Sequence, residues 1–264
     1  MKQLVPLVVA GLVFGLVSLP SHALDGRAVM KKVLDIVYYQ GQDQRARASM
    51  KIIDKQGRER IRDLVLLRRN LGDGRGGQKY YVYFNKPSDI KKMVFMAWKH
   101  AGQDDDRWLY LPALDLVKRI AASDERTSFV GSHYFYEDVS GRDLDEDDHQ
   151  LISEDASHYI ILSKPKNPAA VEFSSYQVLV EKSTFLPMSI DYYKNDNPVA
   201  YRRYETLVTE VIDGYATVTK SKMENIQSGG HTIVEYSEIK YAQGIPEKIF
   251  SERYLRKAPR HYLK

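Results

Sequence analysis

The residues able to do chemistry are scattered rather than assembled. Seven histidines occur in the 264-residue chain, and none has the H-E-x-x-H or H-x-H spacing that presents two imidazoles to one metal. His133, His149 and His158 read as surface or capping residues. The densest acidic stretch begins at Asp143. With Asp143 as the first position of a calcium loop, Asp145, Asp147 and Glu154 fall at the third, fifth and twelfth. The sixth position is Asp148, where the sharp turn needs glycine. A solvated acidic loop over 143–148 is expected, with no metal. In Gly131-Ser132-His133 the glycine precedes the serine but none follows, so the G-x-S-x-G elbow of serine hydrolases is missing. The pair reads better as the entry to a short helix over 132–138, with Ser132 as its cap. Residues 104–106, three aspartates beside Gly102, read as a solvent-facing turn. The glycine-rich residues 72–77 lack the spacing of a phosphate-binding loop and read as a hairpin tip.

Cysteine is absent. That removes thiol nucleophiles, cysteine zinc sites and disulfides, and it rules out lipidation at a mature N-terminal cysteine. The first residues have a separate role. Lys2 precedes an apolar run from Leu4 to Leu19, and Ser21-His22-Ala23 places small residues at the −3 and −1 positions. This predicts a secretory leader cleaved after Ala23, and a soluble, exported product, since no later stretch is long and apolar enough to cross a bilayer. A net charge of only +4 argues neither for nor against nucleic acid as a partner, and export argues against it.

The elements that must position any site are mostly strands. Residues 25–40 predict a helix, capped by Asp25, with Val29, Val33, Ile36 and Val37 on one stripe. The apolar period then changes from 3.6 to 2. Strands are predicted over 45–54, 59–70, 79–85, 92–99, 107–111 and 114–120, then over 159–163, 173–181, 187–193, 200–211, 215–225 and 232–240. Turn residues such as Asn167-Pro168, Asp213-Gly214 and Gly229-Gly230 separate the later ones. The strand over 92–99 is apolar on both faces, as in a strand covered on both sides. After a last segment, 249–255, the chain ends in a basic tail with Arg256, Lys257, Arg260 and Lys264. The expected fold is mainly β with α: one domain, 24–264, forming a single open, strongly curved antiparallel sheet, a half-barrel, with helices on the concave face. The sequential hairpins favour a meander.

Apolar supply is what remains for function. Met93, Phe95, Met96, Trp98 and Trp108 lie within a short span, in strands expected to be neighbours. Each alone is well explained as core. As a set, methionine and aromatic side chains suit an adaptable cavity.

Three segments carry a resemblance. Arg107-Trp108-Leu109-Tyr110-Leu111-Pro112-Ala113-Leu114, then Lys118-Arg119-Ile120, then Ser128-Phe129-Val130-Gly131-Ser132-His133-Tyr134-Phe135-Tyr136-Glu137-Asp138 resemble the outer-membrane lipoprotein-sorting family, the LolA-like periplasmic carriers. The branch associated with RND-type exporters is the most similar. The resemblance implies an unclosed β-barrel plugged by helices, which shields acyl chains in transit through the periplasm without cofactor or catalysis. Apolar shielding is needed because each exposed CH₂ costs about 0.8 kcal/mol in water. The family also places a buried arginine behind its helical lid, for which Arg45, Arg47 and Arg119 are candidates.

The resulting expectation is a periplasmic carrier of lipid or lipoprotein acyl chains, working toward the outer membrane. Met93, Phe95, Met96, Trp98, Trp108 and Tyr110 would line the cavity, and Val29, Val33, Ile36, Tyr134 and Phe135 would form the lid. The basic tail would make transient contact with a membrane surface or remain solvated. One alternative is a lipid-sensing or accessory periplasmic subunit of an RND-type exporter. A secreted hydrolase is the other, and it requires a polar pocket with a converging histidine or carboxylate pair.

Overall fold

The computed structural model describes residues 24–72, 75–195 and 197–264. The expected leader, residues 1–23, lies outside them. The chain enters on helix α1 (Gly26–Leu34), where the Asp25 carboxylate accepts the Ala28 N–H at 2.7 Å. Val29, Met30 and Val33 form its buried stripe. The helix does not continue regularly to residue 40 but widens into a π turn over Asp35–Tyr39. Among the described residues no helix is long and apolar enough to cross a membrane.

Thirteen strands follow in one antiparallel sheet. They are β1 (Asp43–Ile53), β2 (Glu59–Asn70), β3 (Gly77–Lys86), β4 (Val94–His100), β5 (Asp106–Leu111), β6 (Leu116–Ile120), β7 (Asp147–Glu154), β8 (His158–Pro165), β9 (Ser175–Glu181), β10 (Pro187–Tyr193), β11 (Arg202–Ile212), β12 (Tyr215–Asn225) and β13 (His231–Tyr241). Their spatial order is β6-β5-β4-β3-β2-β1-β13-β12-β11-β10-β9-β8-β7. Two meanders are therefore joined where the last strand pairs with the first, with Met50 opposite Val234 and Ser49 opposite Glu235. Strands β6 and β7 stand at opposite edges and do not pair. The sheet stays open and curved, a half-barrel with helices on its inner face, as the periodicity predicts.

Two expectations are corrected. Residues 143–148 are not simply a solvated loop, because β7 begins at Asp147 and forms an edge strand whose side chains are mostly exposed. Ser132 does not open a helix. Residues Phe129–Gly131 make a 3₁₀ turn, and the helix α2 spans Tyr136–Ser140, fixed at its start by the Asp138 carboxylate accepting the Phe135 N–H at 2.6 Å.

Alternation along the strands decides what each face buries. The inner face of β2, β3 and β4 packs on the 129–140 segment. There Phe129 meets Phe84 at 5.9 Å between ring centroids and Phe95 edge-on at 5.4 Å. The inner face of β8 and β9 packs on α1, with Val29, Met30 and Val33 against Ile161, Val178 and Val180. Gly26 is required where α1 also meets β7, since a Cβ there would lie 2.5 Å from the backbone nitrogen of Leu151. The outer face of β2–β5 is covered as well. Residues 245–263, including helix α3 (Glu252–Arg256), lay Ile245, Ile249, Phe250 and Leu255 on Val65, Leu67, Tyr81, Val94, Met96 and Trp108. Each such fully buried side chain contributes about 1.5–3 kcal/mol.

Candidate functional site

Between α1, α2 and the inner face of the sheet lies a cavity of about 280 Å³. Its floor comes from the alternation of β1, β2 and β3, which directs Ala46, Ala48, Met50, Leu64, Leu66 and Val82 inward. The small alanines on β1 create room that larger side chains would fill. Val33, Leu34, Ile36 and Val37 enter from the first helical segment, Phe129, Tyr134 and Val139 from the second, and Val178, Leu186 and Ile190 from the far strands. The volume is near the low end of small-molecule sites, about 300–1,000 Å³.

Polar groups line the wall in two sets. Gln40, Gln44, Arg68, Tyr80, Thr217 and Tyr241 form one. Glu137, Asp138 and Arg142 form the other. The Arg142 guanidinium donates to Glu137 Oε1 at 2.9 Å and to both oxygens of Asp147 at 2.9 and 3.0 Å. Burial works against its charge, but Asp147 and Glu137 outweigh this and hold it protonated. The Tyr176 hydroxyl donates to Asp147 at 2.7 Å. Arg202 pairs with Asp138 and lies 3.9 Å over the Phe135 ring. Burial pushes the hydroxyl pKa values of Tyr38, Tyr134 and Tyr176 well above their usual range, so they act as neutral hydrogen-bonding groups. Gly141, at the end of α2, has positive φ and allows the Tyr38 ring to approach. A Cβ at that position would lie 2.5 Å from the ring carbon Cζ.

A second, polar pocket of about 260 Å³ lies behind α2, and Glu137, Gly141 and Arg142 line both spaces. Its charges are mutually engaged. Arg107 donates to Glu125 at 2.6 Å and to Asp105 at 2.8 Å, while Arg126 reaches Glu125 and Glu137.

The sequence-predicted lining residues lie elsewhere. None of Met93, Phe95, Met96, Trp98, Trp108 and Tyr110 borders the apolar cavity. Phe95 and Met93 face inward but are covered by Phe129 and Tyr136. Met96, Trp98, Trp108 and Tyr110 point to the outer face, beneath residues 245–263. Trp98 Nε1 donates there to the Phe250 carbonyl at 2.8 Å. The two-faced strand was legible, but the cover over each face is protein. Of the lid set, Val33, Ile36 and Tyr134 border the cavity, while Val29 packs on β8 and β9 and Phe135 stacks under Arg202.

The candidate arginines also have other partners. Arg45 donates to the Tyr262 carbonyl at 3.0 Å and fastens the tail, Arg47 pairs with Glu238, and Arg119 is exposed beside Asp106. Arg68, Tyr80 and Tyr241 were missed by the sequence reading. The signal was present in register, because Arg68 shares a strand face with Leu64 and Leu66.

Histidines and acids do not converge. His133 bonds to Thr232, His149 to Ser163 and the Leu144 carbonyl, and His158 approaches Asp155. Asp143, Asp145 and Glu146 pair with Lys99, Arg27 and Arg142 respectively. Among the described residues no cluster of three or more such groups could hold a metal ion.

No curated protein matches the sequence. Solved structures do. A DUF1329 family protein from Desulfovibrio piger is 27% identical with a TM-score of 0.80, over 87% of this chain and 97% of that one. A domain described as an outer-membrane lipoprotein-sorting protein, from Vibrio parahaemolyticus, is 23% identical with a TM-score of 0.77, over 88% and 98%. A LolA superfamily protein from Nitrosomonas europaea is 17% identical with a TM-score of 0.67, over 88% and 100%. These likenesses establish the LolA-like fold. Residues 76–257 match the model of a family described as an uncharacterized protein, and the chain belongs to that family.

Proposed function

We propose that the protein is a periplasmic carrier that takes the acyl chains of a lipid or lipoprotein into the cavity beneath α1 and α2 and moves them toward the outer membrane. The apolar floor of Ala46, Ala48, Met50, Leu64, Leu66 and Val82 carries this reading. Such a surface matches hydrocarbon, and helices rather than a second sheet form its cover, which suits a space that must open and refill. The fold shared with a lipoprotein-sorting domain and a LolA superfamily protein supports it. Binding without chemistry fits the polar pocket too, where the carboxylates of Asp105, Glu125 and Glu137 face guanidinium partners rather than empty space.

A fluorescent long-chain probe tests the assignment. The mature protein should bind it in the micromolar range or tighter, with enhanced emission. Leu66→Glu places a charge on the cavity floor and should weaken binding at least tenfold. Trp98→Phe, on the outer face, should bind as the parent does. Equal loss in both variants, or no loss in Leu66→Glu, would remove the cavity as the binding site.

A further inference from the structure

One row of side chains crosses four strands along the cavity wall. Tyr241 on β13 stands opposite Gln44 on β1, Gln44 opposite Arg68 on β2, and Arg68 opposite Tyr80 on β3. All four border the cavity. The next row inward, Ala46, Leu66 and Val82, is wholly apolar. The boundary between a polar row and a hydrocarbon floor is therefore one strand pleat wide.

Arg68 is the unusual member. It is 3% exposed, and its guanidinium donates to two neutral oxygens, Asn70 Oδ1 at 2.7 Å and the Gln40 carbonyl. Among the described residues no carboxylate lies within 4 Å of it. The other buried arginines that pair with carboxylates are Arg45 with Glu238, Arg107 with Asp105 and Glu125, and Arg202 with Asp138, and the half-buried Arg142 pairs with Glu137 and Asp147; buried Arg62, farther along β2, lacks such a partner among the described residues but does not border the cavity. The acid adjacent to Gln44, Asp43, is committed to the opposite face, where it accepts the backbone N–H groups of Gln243 and Ile245 at 2.6 and 2.9 Å. A buried cation without a counter-ion is costly, and burial lowers the pKa of Arg68 accordingly. The hydroxyls nearby are already engaged, since Thr217 donates to the Tyr215 carbonyl at 2.9 Å and Tyr241 lies 2.9 Å from the Thr217 hydroxyl.

We propose that the cargo is an anionic single-headed amphiphile, a long-chain fatty carboxylate, whose head is received by Arg68 and whose tail lies over Ala46, Leu66 and Val82. This rests on the carrier reading and narrows it to a class of cargo. A guanidinium is shaped for two parallel bonds to a carboxylate, and the ligand supplies the charge that the fold leaves out. Arg68 also holds the Gln40 carbonyl at the end of the first helical segment, where a cation is favourable. Recognition of the head and the fastening of that segment are then functions of one side chain.

The test compares heads on one tail. Binding of palmitate, hexadecyl phosphate and 1-hexadecanol to the mature protein is measured at pH 8 by displacement of the fluorescent probe. Palmitate is expected to bind at least about tenfold more tightly than the alcohol, the difference that a charge-assisted hydrogen bond supports. In Arg68→Gln the acid-to-alcohol ratio should fall to about one, and Arg68→Lys should keep part of it. A purely structural Arg68 would lower stability and leave the ratio unchanged, which overturns the proposal. Equal binding of acid and alcohol by the parent protein also overturns it, needs no variant, and leaves the carrier reading standing. Preference for hexadecyl phosphate over palmitate overturns the carboxylate assignment in favour of a phosphate head. Failure of all three to bind overturns the carrier reading itself.

Discussion

Glu137 is the side chain at which the apolar cavity and the polar pocket meet. It accepts from Arg142 at 2.9 Å and from Arg126 at 3.5 Å. Burial nevertheless dominates and pushes its carboxyl up to about 7 from 4.5. A carboxyl with a raised pKa binds its proton more tightly folded than unfolded. Its contribution is therefore most favourable below the unfolded pKa and is lost as pH rises from about 4.5 through about 7. Thermal melts of the parent protein and Glu137→Gln should show this. The variant, which cannot titrate there, should gain in melting temperature relative to the parent between pH 5 and pH 7.5. A parent that gains on the variant over that range would show that the guanidinium neighbours, not burial, set the titration.

At the scale of elements, the segment 245–263 is a second cover, on the outer face. Both tryptophans of the chain lie beneath it, meeting edge-on at 5.0 Å. Leu255 is 1% exposed in that layer, so Leu255→Ala should cost about 2–5 kcal/mol in urea unfolding. Tryptophan emission should report the loosening of this segment and stay unchanged when cargo fills the cavity, since neither ring borders it. A spectral shift on loading would show that the outer segment moves with binding. The elements themselves were largely legible. Strict alternation in β1, and paired hairpins with glycine turns, predicted a meander and an open sheet. Strand β7 was not legible, because an edge strand such as Asp147–Glu154 buries little and so carries little apolar period. The cavity was misplaced for a related reason. Composition located the aromatic residues of β4 and β5, but only register shows that Trp98 and Trp108 face outward while Arg68 faces in. Nor does any local pattern announce that the chain end folds back over β2–β5.

At the scale of the molecule, the pairing of β1 with β13 brings the first and last strands together beneath one cavity. Thirteen strands in an unclosed sheet curve around a space too open for side chains alone to fill. Two separate helical segments cover it, each seated at a point where glycine permits a close approach, Gly26 on β7 and Gly141 under Tyr38. The architecture thus combines a rigid floor with a cover in pieces, and it leaves a hydrocarbon-lined interior as its distinctive product. That interior is the central claim. It is tested most directly by native mass spectrometry of the protein recovered from its own cells, followed by extraction and identification of whatever is bound. A stoichiometric acyl-bearing species, absent from Leu66→Glu, is the expected result. A bare protein mass that stays unchanged after incubation with fatty acids, phospholipids and lipopeptides would contradict it.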